Sequence, residues 1–283
     1  MARGRGGRRP RAGRCACPGY RGVDRRLTVF PCAGEWLAGT LDAASGDTGL
    51  LIVSGGAEIR VGAHRGMALL AARLAQGSVP VFRYDRRGIG DSSGSDPGFA
   101  AAGPDLRAAV TAFRAAKPQL RRLVALGNCD AAALLALEGR AAGVDAVILA
   151  NPWTGNEADA LPPAAAIRAR YRERLRDPAQ WRRLVTGGVD LRRLAAGLRK
   201  LVRTPRPPAP AARIVAAIRA WGDDATVILA AGDATAIAYA DAARSLPVHT
   251  VTIDGASHSF ARAAEGEALA QAVARALAIP PLP

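Results

Sequence analysis

Cys129 stands where a reactive nucleophile would be placed. The stretch Leu126-Gly127-Asn128-Cys129-Asp130-Ala131 reads as the end of a strand, a one-residue turn and the start of a helix. A nucleophile on such a turn needs small residues two positions before and two after it, because strand and helix pack closely there. Gly127 and Ala131 fill those positions. A thiol at a helix N-terminus has its thiolate favoured by the helix dipole and the free N–H groups. A cysteine can equally serve there as a small hydrophobe, so the partners decide. In an elbow of this kind the acid and the histidine follow later in the chain, in that order. Asp233 comes directly after the apolar run TVILAAG (226–232), and His258 comes just past HTVTID (249–254), 25 residues beyond the aspartate. Of the three histidines, His249 opens a strand and His64 lies far upstream. Asp223 and Asp224 are rival acids, but they precede their strand and belong at the other end of a sheet. The expected set is Cys129 as nucleophile, His258 as base and Asp233 as the group that orients the imidazole, a constellation for acyl transfer.

Acyl transfer also needs two N–H groups aimed at the developing oxyanion. One is expected from the backbone of Asp130, next to the nucleophile. The other is expected from the loop Ser54-Gly55-Gly56-Ala57, with Gly56 as donor and Ala57 as the neighbour able to replace it. His64, Arg65 and Trp153 are candidate substrate contacts. No cofactor is implied, and no metal site either, since Cys15 and Cys17 form a lone C-x-C without a partner pair.

These residues need a sheet with crossover helices to hold them. LTVFP (27–31) and LAGTLD (37–42) flank a glycine-containing turn and predict a hairpin. GLLIVSG (49–55), VPVFRYD (79–85), LVALGN (123–128), VDAVILANP (144–152), TVILAAG and HTVTID are short apolar runs of the kind buried in parallel sheets. Helices are expected over 67–74, 104–116, 129–138, 236–245 and 265–278. Alternation of this kind predicts an α/β fold with a mostly parallel central sheet flanked by helices. Between Pro152 and Ala225 no strand is evident; about 154–212 reads as a helical lid insertion with Trp181, Leu184, Leu191, Leu194 and Leu198 as its apolar face.

The chain has 283 residues, with 49% hydrophobic and 22% charged. That balance excludes a disordered, collagenous or coiled-coil chain, and no apolar run is long enough for a membrane-spanning helix. The formal charge of +15 is concentrated: residues 1–26 carry a net +8 and residues 168–206 a net +10, leaving the rest slightly acidic. Residues 1–25 read as a disordered basic tail outside the domain at 26–283, and Val23 is a candidate alternative start. Neither basic stretch carries a nucleic-acid-binding motif, so no nucleic-acid partner is expected. Four cysteines fit a reducing compartment, and a cytoplasmic location is expected.

The loop Ser54-Gly55-Gly56, the turn Asp85-Arg86-Arg87-Gly88-Ile89-Gly90-Asp91-Ser92, the elbow at Cys129, Asp233 and His258 occur in the order seen in the α/β-hydrolase superfamily, which residues 27–283 resemble. Within it, FPCAGEWLAGTL (30–41), VSGGAEIRVGAHR (53–65), GNCDAA (127–132) and ANPW (150–153) resemble exosortase A system-associated hydrolase 1. Those proteins also carry cysteine at the elbow and accompany bacterial exopolysaccharide and protein-sorting genes. Dienelactone hydrolases are similar in having a cysteine elbow. The resemblance implies a hydrolase acting on an acyl ester, thioester or lactone, with a small-molecule or glycan-linked acyl substrate. Two alternatives stay open on the residues: an acyltransferase using the same triad on a sugar hydroxyl, and a non-catalytic binding protein on the same scaffold.

Overall fold

The computed structural model describes residues 23–155, 209–244 and 246–282. The basic segment 1–22 and the expected apolar face of the lid lie outside the described residues.

Eight strands form one sheet: β1 (Asp24–Cys32), β2 (Glu35–Ala43), β3 (Thr48–Val53), β4 (Val81–Tyr84), β5 (Arg122–Asn128), β6 (Ala146–Ala150), β7 (Ala225–Ala230) and β8 (His249–Ile253), in the order β1-β2-β4-β3-β5-β6-β7-β8. The pairs from β4 to β8 are parallel, while β1–β2 and β2–β4 are antiparallel. The expected hairpin is present: Cys32 pairs with Glu35 across a two-residue turn. Ala33 and Gly34 both have positive φ there, the geometry that matches the twist of the flanking strands. β1 begins at Asp24, three residues before the apolar pattern starts, because the Arg25 guanidinium reaches buried Asp42 on β2 at 2.5 Å. A pattern of hydrophobicity does not register a charge buried by pairing.

Six α-helices accompany the described strands: α1 (Gly66–Gln76), α2 (Gly103–Ala116), α3 (Asp130–Glu138), α4 (Ala209–Trp221), α5 (Ala234–Ala242) and α6 (Ala263–Ala276). α2, α3 and α4 cover one face of the sheet, and α1 and α6 cover the other. The central strands are apolar throughout because both faces are covered. On β3, Leu51 and Val53 point into the first layer and Leu50 and Ile52 into the second. α4 begins inside the stretch read as insertion. Its Ala211, Ile214 and Ile218 are buried, and the Trp221 indole donates to the Ala136 carbonyl at 3.0 Å, which ties it to α3. No helix among the described residues is long and apolar enough to cross a membrane.

This strand order puts β3 beside β5, so the loop leaving β3 abuts the turn leaving β5. Buried charges fix the rest of that loop. Arg60 donates its backbone N–H to Asp85 Oδ1 at 2.6 Å and pairs with the same carboxylate through its guanidinium. The Arg83 guanidinium, almost wholly buried, donates to the Arg60 carbonyl at 2.8 Å and pairs with Asp42 at 3.1 Å.

Candidate active site

β5 ends at Asn128 and α3 starts at Asp130, so Cys129 alone makes the turn, with φ 62 and ψ −124. A non-glycine residue held there costs about 1–3 kcal/mol and persists only where its surroundings impose it. They do: the Cys129 N–H donates to the Ala150 carbonyl at 3.0 Å, and its own carbonyl accepts from Trp153 at 3.1 Å. Gly127 allows the close approach of strand and helix. A Cβ at Gly127 would lie 2.7 Å from the Ala131 carbonyl carbon, with the backbone on both sides unable to yield. Gly127→Ala is therefore expected to destabilise the fold by about 1–3 kcal/mol, read as a melting temperature lowered by several degrees.

Asp233 follows β7 and caps α5, its Oδ2 accepting from the Ala236 N–H at 3.0 Å. The same oxygen lies 2.9 Å from Nδ1 of His258, which sits on the loop after β8. Burial pulls the Asp233 carboxyl up, but the hydrogen bond and charge of His258 and two backbone N–H groups outweigh it, and its pKa falls below the ordinary value. The hydrogen bond that His258 donates to Asp233, and then that with Cys129, push His258 up to about 10, against the opposing effect of burial. Because Nδ1 is taken by Asp233, Nε2 is the nitrogen left for the thiol. Cys129, His258 and Asp233 thus meet at the carboxyl ends of three strands, the thiol linked to the imidazole and the imidazole to a carboxylate. The rival acid Asp224 is elsewhere, paired with Arg140 at 3.1 Å.

Residues 50–272 match the model of the alpha/beta hydrolase family. The chain belongs to that family. Solved structures agree at the level of fold. An esterase of Pyrococcus furiosus, Pf2001, superposes with a TM-score of 0.62 at 14% identity, covering 95% of each chain. XC6422 of Xanthomonas campestris, a serine hydrolase without a lid, gives 0.57 at 16% identity over 92% of this chain and 97% of that one. A proline iminopeptidase of Mycobacterium smegmatis gives 0.60 at 16% identity over 89% and 98%. No curated protein matches the hydrolase in sequence.

Two asparagines that the sequence reading left without a role brace the histidine of this hydrolase. Asn151 is wholly buried at the end of β6; its Oδ1 accepts from the Ala230 N–H at 2.8 Å, and its Nδ2 donates to Asn128 Oδ1 at 3.0 Å and to the His258 carbonyl at 3.2 Å. Asn128 Nδ2 donates to that same carbonyl at 3.1 Å. A polar residue at the apolar end of a buried strand was the available signal, since a buried amide must find partners.

Of the other residues singled out, Gly56 and Ala57 are exposed on the loop after β3, facing the elbow. The Gly56 N–H is engaged: it donates to Asp130 Oδ1 at 2.7 Å. His64 is exposed and lines a separate cavity of about 290 Å³ between α1 and α6, whose wall includes Ser259 and Phe260 but none of Cys129, Asp233 or His258. Arg65 sits beside it as the N-cap of α1. Trp153 is half-buried next to the elbow through its backbone bond to Cys129. His249 opens β8 and is exposed. The second described cysteine, Cys32, is buried against Asp105 at 3.4 Å, and burial, then that carboxylate, raise its pKa to about 11.

Proposed function

We propose that the protein hydrolyses activated acyl compounds (thioesters, reactive esters or lactones) through a covalent intermediate on Cys129. The observation that carries this reading is the Nδ1–Asp233 contact of 2.9 Å, which turns the other imidazole nitrogen toward the thiol. His258 takes the thiol proton, and the sulfur attacks the carbonyl carbon. The carbonyl oxygen becomes an oxyanion held by the N–H groups of Asp130 and Gly56. As the oxyanion collapses, the bond to the leaving group breaks and His258 returns the proton to it. A water molecule then gives a proton to His258 and attacks the thioester carbon, releasing the acid and the thiol. Asp233 holds the imidazole in the required tautomer and stabilises its cation throughout.

A thiolate is a strong nucleophile and a good leaving group, which suits substrates whose own leaving group is good. The resemblance of 30–41, 53–65, 127–132 and 150–153 to the exosortase-associated hydrolases supports a glycan-linked acyl group in exopolysaccharide metabolism as the physiological substrate, with a cytoplasmic location. Trp153, held beside the elbow by its N–H to the Cys129 carbonyl, then borders the approach to it.

The test is intact-mass spectrometry after incubation with a panel of acyl thioesters and activated esters, in a Cys15→Ser/Cys17→Ser background. The expected result is a single acyl adduct, mapped by peptide mass to Cys129. Cys32 should stay unmodified, since its burial and its pKa of about 11 keep it a thiol at neutral pH. An adduct on Cys32, or none on Cys129 with every acyl donor, would overturn the reading.

A further inference from the structure

The oxyanion hole of the proposed reaction already holds an anion. Asp130 supplies one hole donor through its backbone and, through its side chain, occupies the other: Oδ1 accepts the Gly56 N–H at 2.7 Å. Gly55 makes this possible, because a Cβ there would lie 2.7 Å from that oxygen. Behind the pair lies Arg86, with a side chain 3% exposed. Its Nη2 donates to the Gly56 carbonyl and lies 3.7 Å from Asp130 Oδ2. Its Nη1 is buried and has no hydrogen-bond partner among the described residues. Buried guanidinium nitrogens are seldom left unpaired, because losing water without gaining an acceptor is costly. A carboxylate thus sits on the N–H that catalysis needs, 3.7 Å from a guanidinium whose other terminal nitrogen is unused.

We propose that the Asp130 carboxylate is a specificity-determining stand-in for the oxyanion: it leaves the Gly56 N–H for Arg86 Nη1 when substrate enters the hole. This rests on the acyl-transfer reading above. A neutral carbonyl oxygen is a weaker acceptor than a carboxylate, whereas the tetrahedral oxyanion is a comparable one. Displacing the side chain therefore carries one fixed cost, which a weakly accepting ground-state carbonyl does not repay and a developing oxyanion does. It filters for acyl groups whose carbonyl develops charge readily, as those of thioesters and lactones do.

The test compares wild type and Asp130→Ala with two probes: an acyl thioester, and an alkyl trifluoromethyl ketone. With the ketone, the Cys129 sulfur bonds to the carbonyl carbon, the thiol proton passes to His258, and the carbonyl oxygen becomes a trapped oxyanion. If the hole is open in roughly one molecule in ten, removing the carboxylate raises kcat/KM for the thioester and affinity for the ketone each by about tenfold. The Gly56 amide proton should also exchange faster with solvent in the variant. Arg86→Met should slow thioester turnover more in the Asp130 background than in Asp130→Ala, where only its hold on the Gly56 carbonyl is lost. Should Arg86→Met fail to fold, Asp130→Ala decides alone. A folded Asp130→Ala that turns over the thioester no faster, or binds the ketone more weakly, would overturn the proposal and make the carboxylate a loop anchor. Failure of the acyl-transfer reading looks different: wild type and Cys129→Ala would then process the thioester alike.

Discussion

Cys129→Ala is expected to lower kcat on an acyl thioester by about 10⁶, leaving the melting temperature within a few degrees of wild type. The size of the loss follows from what the sulfur alone contributes. In the proposed mechanism it forms the bond that divides the reaction into two easier steps, and His258 and Asp233 act only through it, so removing the nucleophile abolishes the gain of the whole set. Enzymes of this mechanistic type lose about 10⁶ when the nucleophile or base is deleted and retain about 10³–10⁴ over water from binding and oxyanion stabilisation. The fold should tolerate the change because the turn is imposed from outside, by the Ala150 carbonyl and the Trp153 N–H on the backbone of residue 129. Steady-state kinetics beside a thermal melt check both halves. A variant with wild-type turnover would remove Cys129 from the reaction.

Asp233→Asn should lower kcat by about 10⁴ through loss of the correct imidazole tautomer, and it should also move the pH profile. In the wild type the hydrogen bond donated to Asp233 is the largest cause that lifts His258 from its ordinary 6.5 to about 10. The neutral imidazole that must take the thiol proton is therefore the minor form at neutral pH, and turnover should climb as pH rises toward about 10. In the variant that rise should move down toward 6.5, the ordinary imidazole value. Stability should follow the same groups. The folded pKa of His258 is raised, so its contribution is complete below 6.5 and is lost as pH rises through about 10. The folded pKa of Asp233 is lowered, so its contribution is present above the ordinary carboxylate value and is lost as pH falls through the lowered one. An NMR titration of His258, with melting temperatures across pH, checks the sign. An unchanged His258 titration in Asp233→Asn would detach the carboxylate from the imidazole.

What the sequence made legible was mostly backbone periodicity and punctuation. Apolar runs ending at Gly55, Asn128, Pro152, Gly232 and Asp254 marked the strand ends of a parallel sheet. Ligand-binding groups gather at such ends in open α/β sheets, so the order Cys129, Asp233, His258 was readable before any contact was known. Less legible were the side chains whose role depends on partners distant in sequence. Asp130 was read only as a backbone donor, although its carboxylate reaches a residue 74 positions away. Arg86 looked like one basic residue in a turn, whereas the fold buries it behind the elbow. The early start of β1 was hidden because Arg25 and Asp42 neutralise each other inside the sheet, while a hydrophobicity pattern treats both as surface.

The hold of Asn128 and Asn151 on His258 has a consequence for how substrate range can change. Both amides grip the main-chain oxygen of residue 258, not its imidazole. The anchoring is therefore blind to the side chains on either side of the histidine. Ser259, half-buried on the wall of the neighbouring cavity, can vary without moving the base, whereas Phe260 beside it is packed into the core. A library randomised at position 259 would test whether that cavity takes part in substrate choice while the backbone grip on residue 258 stays in place.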